Sequence, residues 1–140
     1  MDLLKKNFRK KIILIDRFID STVAYQHYGL KLNLNLINIL NRYILNNFSI
    51  DFTFLNIVNK SNMIKRLKSR KTLNRYDKFN NSFYKQVQKG FLKLSKKNKS
   101  KYHIIDSNLD IKHNKSLIIK KIDKLILNIE NHLIKLNSLV

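Results

Sequence analysis

Cysteine is absent from the 140 residues, so neither a disulfide nor a thiolate metal site can be built. That absence fits a reducing compartment, and a cytoplasmic protein is expected. Acidic side chains are scarce: 9 Asp and Glu stand against 29 Lys and Arg, a formal charge of +20. Long apolar runs are missing too, none approaching the ~18 residues that a membrane-spanning helix needs. The basic start, "MDLLKKNFRKKIILI", holds four consecutive apolar residues, too few for a signal-peptide core. Glycine occurs only at positions 29 and 90, and neither precedes Lys-Ser or Lys-Thr. The pattern G-x-x-x-x-G-K-[ST], whose backbone N–H groups cradle nucleotide phosphates, is therefore not in the chain.

What is present suits one domain with a core of its own, since 44% of the residues are apolar. A charge of +20 invites a nucleic-acid reading. Against it, the excess is almost all lysine, 23 Lys to 6 Arg, spread from end to end beside 19 Asn and 19 Ile. These are the residues an A+T-rich genome overproduces. A phosphate-tracking surface more often clusters arginine with interleaved aromatics.

The order of elements is α/β. "KIILI" (Lys11–Ile15) reads as a first buried strand. A helix is expected from Asp20 to Tyr28, stopped by Gly29. "NLNLINILNRYILNNF" puts Leu34, Ile37, Leu40, Ile44 and Leu45 on one face of a second helix. "DFTFLNI" (Asp51–Ile57) is the second strand, followed by a helix over Ser61–Arg70. A helix from about Asn80 to Lys96 then leads to a third strand, "YHIID" (Tyr102–Asp106). The last helix carries Ile118, Ile122, Leu125, Ile129 and Leu133 at helical spacing. Alternating strands and helices predict a layered α/β fold with a parallel sheet, whose ligands gather at the carboxyl ends of the strands.

"DRFIDSTVAYQHYG" (Asp16–Gly29) lies at such an end, and it breaks the monotony of the sequence. The Arg17 guanidinium suits a phosphate, which its planar fork can meet with two parallel hydrogen bonds. Asp16 suits Mg²⁺, directly or through water. An Asp–Arg pair that caps the next helix remains an equal reading. Thr22, Tyr25 and Gln26, with Ser21 beside them, are spaced to share a helix face that could hydrogen-bond a pyrimidine edge. A solvated polar face is the alternative. "RLKSRKTLNRYDK" carries Arg66, Arg70 and Arg75, half of all arginine in the chain. Such a run is either a solvated surface or a lid that closes over polyphosphate. His27 reads as a surface residue, and His103, His113 and His132 show no metal spacing.

Three blocks, taken in order, resemble the thymidylate kinases (dTMP kinases) of the P-loop nucleoside monophosphate kinase group. "DRFIDSTVAYQ" is similar to the family's Asp-Arg-aromatic, Ser-Thr and Ala-Tyr-Gln motif. "RLKSRKTLNRYDKFNNSFYKQVQKGFLKL" resembles the arginine-bearing lid with its Asn/Asp-Arg-x-Asp/Glu signature and the helix behind it. "YHIIDSNLDI" resembles the last strand and its aspartate. The resemblance spans roughly residues 3–126. It implies a three-layer α/β/α fold with a parallel sheet, lacking the amino-terminal strands. Residues 1–126 would form a partial kinase domain with the lid at about 65–78, and residues 127–140 a helical extension.

The resemblance further implies transfer of the ATP γ-phosphate to dTMP, with Mg²⁺ as cofactor. Arg17 would hold the dTMP phosphate and Asp16 would face the magnesium hydration shell. Thr22 and Gln26 would bond the thymine, supported by Ser21, with Tyr25 against the deoxyribose. Arg66 and Arg70 would cover ATP, and Arg75 would belong to the lid signature. No general base is needed, because the attacking group is already an anionic phosphate oxygen. The chain departs from the family at His27, where glycine is common, and at Leu30-Lys31, where Arg-Gly is frequent. The missing P-loop strand would lie between "KIILI" and "DFTFLNI", leaving both edges unpaired. The chain is therefore expected to be inactive alone; it would pair those strands directly, recruit the P-loop half from a separate polypeptide, or stay partly unfolded. The apolar face of the tail would serve either ordinary packing or a homodimer. A nucleic-acid-binding protein and an inert remnant stand as the competing readings; no membrane partner is expected.

Overall fold

The computed structural model describes residues 2–8, 10–46, 48–72 and 79–137. After a short helix α1 (Asp2–Asn7) come α2 (Ile19–Thr22), a π-helical segment (Val23–Gly29) and α3 (Leu34–Leu45). Then follow β1 (Thr53–Ile57), α4 (Lys60–Lys68), α5 (Asn81–Lys97), a 3₁₀ turn (Lys99–Lys101), β2 (Tyr102–Asp106) and α6 (Ile111–Asn137). The chain divides into two compact units, one of Met1–Leu55 with Arg70–His103, the other of Asn56–Ser69 with Ile104–Val140. Strands β1 and β2 pair and run in the same direction; just past their ends, Ser107 N–H donates to the Ile57 carbonyl at 2.7 Å. A parallel α/β arrangement is therefore present, as the order of elements predicts.

Helix starts follow directly from the sequence. Asn33 accepts from the N–H groups of Asn35 and Leu36, Asn59 from that of Asn62, and Asn80 from that of Phe83. Asp110 Oδ2 does the same for Lys112, 2.8 Å away, at the head of α6. Each such cap satisfies N–H groups that have no partner within the helix, and is worth about 1 kcal/mol.

In the first unit the core is the contact between the π-helical segment and α5. Ala24, Phe83 and Val87 are buried there, with Tyr25, Phe79, Tyr84 and Phe91 packed around them. Phe79 stacks on Phe83 with ring centroids 4.1 Å apart. Both glycines of the chain lie on this seam. A Cβ on Gly90 would come within 2.5 Å of the Tyr28 ring, and one on Gly29 within 2.5 Å of the Phe83 ring. Gly29 is thus explained by close approach. The left-handed residue that ends the helical segment is instead Lys31, at φ 64°.

"KIILI" does not form the expected strand. Residues 12–15 are irregular, and Ile12, Leu14 and Ile15 are exposed, Leu14 at 83%. An apolar run becomes a buried strand only when a neighbour pairs its backbone, and no described residue does so here. In α3 the buried line is Ile37 and Asn41, while Leu40 and Ile44 of the expected face are exposed. Helix α6 runs unbroken from Ile111 to Asn137, with Ile118, Ile122 and Leu125 half-buried and Ile129 exposed. The burial of Leu133 lies outside the described side chains. Much apolar surface is left uncovered.

Replacing Gly90 by Ala drives a methyl group into Tyr28 Cβ and Cγ, atoms too close to the backbone to swing clear. Gly90→Ala is expected to lower stability by about 1–3 kcal/mol in denaturant titration, and Tyr28→Ala made with it to recover part of the loss.

Candidate functional site

The Asp16-Arg17 turn brings the chain into α2, and Arg17 takes a left-handed backbone, φ 59°. A non-glycine residue there carries about 1–2 kcal/mol of strain, which persists where surrounding structure imposes it. The guanidinium carbon of Arg17 sits 5.4 Å from the centroid of the Tyr25 ring, within reach of a cation–π contact. Asp16 and Arg17 are exposed, so both head groups face solvent.

The helix that follows is α-helical only as far as Thr22. From Val23 to Gly29 it is π-helical, and Leu30 N–H reaches back to the Tyr25 carbonyl at 2.9 Å. Such widened turns recur at functional sites because they redirect side chains relative to α-helical spacing. Thr22 is exposed, Ser21 and Gln26 are half-buried, and the half-buried Tyr25 ring lies edge-on to Phe83 and Phe91. The structure thus gathers Arg17 and Tyr25, with Ser21, Thr22 and Gln26 beside them on the same short segment. His27 is not a free surface residue. Its Nδ1 lies 2.9 Å from the Leu32 carbonyl, which can only accept, so Nδ1 carries the proton and fastens the turn.

The basic candidates separate. Arg66, on α4 of the second unit, is exposed, and its Nη2 donates to the Ser107 carbonyl at 2.6 Å. Arg70 opens the exposed stretch after α4 and belongs to the first unit. Arg75 lies outside the described residues.

Two polar features escaped the sequence reading. Asp20 Oδ2 accepts from the hydroxyl of Tyr102, and burial together with that carboxylate pushes the Tyr102 phenol well above its ordinary range. Asp20 also edges a cleft of about 600 Å³ with Asn38, Asn41 and Arg42; Asn41 Oδ1 is buried without a protein partner. Partners 82 residues apart in the chain leave no local signal for such a bond. The second feature is the turn after β2, where Asn108 N–H donates to Asp106 Oδ1 at 2.9 Å. An Asp that closes a strand, two residues before an Asn, is the signal that could have found it.

Among the described residues no group of three His, Cys, Asp or Glu could hold a metal ion directly. A single exposed carboxylate at Asp16 fits only a hydrated Mg²⁺, held through its water. No described helix is long and apolar enough to cross a membrane.

Parallel strands alternating with helices, with polar turns at their carboxyl ends, match the architecture of the P-loop nucleoside monophosphate kinases. The family model described as thymidylate kinase matches residues 2–118, so the chain belongs to the thymidylate kinase family. It is 37% identical to a thymidylate kinase of Exiguobacterium sp. AT1b over 103 residues, covering 74% of this chain and 49% of the relative. Identity to that of Trichodesmium erythraeum is 41% over 101 residues, 72% of this chain and 44% of the relative. For Sulfurihydrogenibium sp. YO3AOP1 it is 32% over 108 residues, 77% and 52%. The chain spans about half the length of the curated relatives it matches.

The Tyr102 phenol, with an ordinary value of 10.0, is raised by folding, so its neutral form contributes stability that is complete below that value. As pH rises past it, the unfolded chain loses the proton first and stability falls. Tyr102→Phe is expected to cost about 1–2 kcal/mol at neutral pH through the lost bond to Asp20. It should also flatten the alkaline fall in melting temperature; equal slopes for the two proteins would refute the assignment.

Proposed function

We propose that this chain supplies the dTMP-binding and lid portions of a dTMP kinase, which transfers the ATP γ-phosphate to dTMP to give dTDP. The observation that carries the reading is Arg17, an exposed guanidinium held on a left-handed backbone over Tyr25 at the start of a helix. Strain of that kind is retained where a head group must be aimed, and a phosphate is the natural target of an exposed, oriented guanidinium.

In this reading Arg17 binds the dTMP phosphate, and Thr22 and Gln26 bond the thymine edge with Ser21 in support. Tyr25 lies against the deoxyribose, where its bulk disfavours a 2′-hydroxyl. Arg66, Arg70 and Arg75 act on the ATP side. Catalysis consists of alignment plus neutralisation of charge on the transferred group. Asp16 would meet the hydration shell of Mg²⁺, which when bound neutralises phosphate charge. The sequence contains no phosphate-cradling glycine loop. A P-loop-bearing segment is the proposed complement of this chain, and residues 12–15, with Ile12, Leu14 and Ile15 exposed, are where its strand would pair.

Coupled measurement of ADP formation tests this directly. The chain alone should give no dTMP-dependent turnover, and addition of the P-loop half of a relative should restore it. Turnover without that half, or binding governed by salt and nucleic acid alone, would refute the reading. Arg17→Gly separates strain from function: its melting temperature should rise, by about 1 kcal/mol of stability, while restored activity falls at least about a hundredfold.

A further inference from the structure

The turn after β2 is gripped from several sides, and Asn108 lies at the centre of the grip. Its Oδ1 accepts from the Asn59 backbone N–H at 3.0 Å and from Asn62 Nδ2 at 3.1 Å. Its own Nδ2 donates to Asp106 Oδ1 at 2.6 Å, and its backbone N–H to the same oxygen at 2.9 Å. Asn59 is the residue that caps α4, accepting from Asn62 N–H at 2.8 Å. One carboxamide therefore ties the carboxyl end of β2 to the first turn of α4. From the other side, Asn114 Nδ2 of α6 donates to the Asp106 carbonyl at 2.9 Å.

Asn62 and Arg66 are four residues apart, so they leave the same face of α4. Arg66 points back to this turn, donating to the Ser107 carbonyl, the residue beside Asn108. A helix of nine residues behaves as a short rigid rod, and fixing its first turn fixes the direction in which its last turn projects side chains. The guanidinium spends one of its five N–H donors on Ser107 and keeps others for an anion. A carbonyl contact alone would let α4 rotate. Two bonds to its cap and first turn remove that freedom.

We propose that Asn108 is a positioning residue for Arg66: by clamping the start of α4 to the turn after β2, it sets where the Arg66 guanidinium stands. The inference rests on the reading of Arg66 as an ATP-side group, and it adds the residue that aims it. Sequence resemblance offers no role for Asn108, because the contacts come from segments more than 40 residues away.

Nuclear magnetic resonance on the full 140-residue chain tests it, following amide exchange at Asn59 and the side-chain nitrogens of Arg66. Asn108→Ala should speed exchange at Asn59 by roughly threefold to tenfold, as loss of one such bond predicts. It should also return the Arg66 guanidinium signals to those of a free side chain. Arg66→Ala should leave Asn59 exchange within about twofold, because the clamp does not depend on the arginine. Unchanged Arg66 signals in Asn108→Ala would overturn the proposal, as would an Asn59 amide in the original chain that exchanges like an unfolded one. Should Asn108→Ala fail to fold, Asn108→Asp keeps the acceptor for α4 but sets a carboxylate against Asp106. Its Arg66 signature should be lost at neutral pH and regained as acid supplies a shared proton; a signature indifferent to pH would overturn the role. None of these arms involves nucleotide. A lack of response of Arg66 to inorganic triphosphate would count against the kinase reading alone.

Discussion

The seam between the π-helical segment and α5 is the constraint on which the first unit depends. Its backbones approach so closely that Gly29 and Gly90, the two glycines of the whole chain, both stand on it. Ala24 is fully buried in the same place, and Phe83 and Val87 fill the space around it. Tyr25 is fixed by this packing through Phe83 and Phe91, and Arg17 lies against Tyr25. The polar candidates are thus aimed by an apolar contact. Close packing transmits such placement because cores adopt discrete arrangements and do not deform smoothly.

How much of this was legible depends on whether the cause is local. The asparagine and aspartate caps at Asn33, Asn59, Asn80 and Asp110 have a local cause, since a cap acts within three residues of itself, although apolar spacing alone placed the helices in the sequence. Strand β2 was readable to the residue, bounded by its own apolar run. The failure at "KIILI" has the opposite cause. Its pattern is that of a buried strand, but strand formation is decided by a partner elsewhere, and the sequence of one segment cannot supply it. The π-helical widening and the left-handed Arg17 were equally hidden, because local propensity calls for neither.

The abundance of asparagine shows why composition and position must be weighed separately. As a count, 19 Asn beside 19 Ile reads as the output of a biased genome. At particular positions the same residue type does work that no apolar side chain could. Asn33, Asn59 and Asn80 start three helices, and Asn108 accepts and donates at once with a single group. A carboxylate at position 108 could accept from α4 but would repel Asp106; a lysine could donate to Asp106 but could not accept from α4. Drift toward asparagine supplies raw material, and the geometry of caps and turns decides where it is useful.

The uneven burial of the chain bears on the same question. Buried apolar residues concentrate at Val23, Ala24, Phe83 and Val87 in the first unit, while Ile12, Leu14, Tyr43 and Ile134 stand open to solvent. Single exposed apolar residues are ordinary, but an extended run of them with unpaired backbone is not. The segment with exposed Ile12, Leu14 and Ile15 ends there, and the strained, cation-bearing Asp16-Arg17 turn begins at the next residue. The backbone geometry that aims Arg17 is therefore anchored firmly on its carboxyl side, by α2 and the seam, and only loosely on the other. A strand paired at 12–15 would hold both ends of the turn. That asymmetry leaves exposed apolar side chains on one side of a strained arginine and a packed seam on the other.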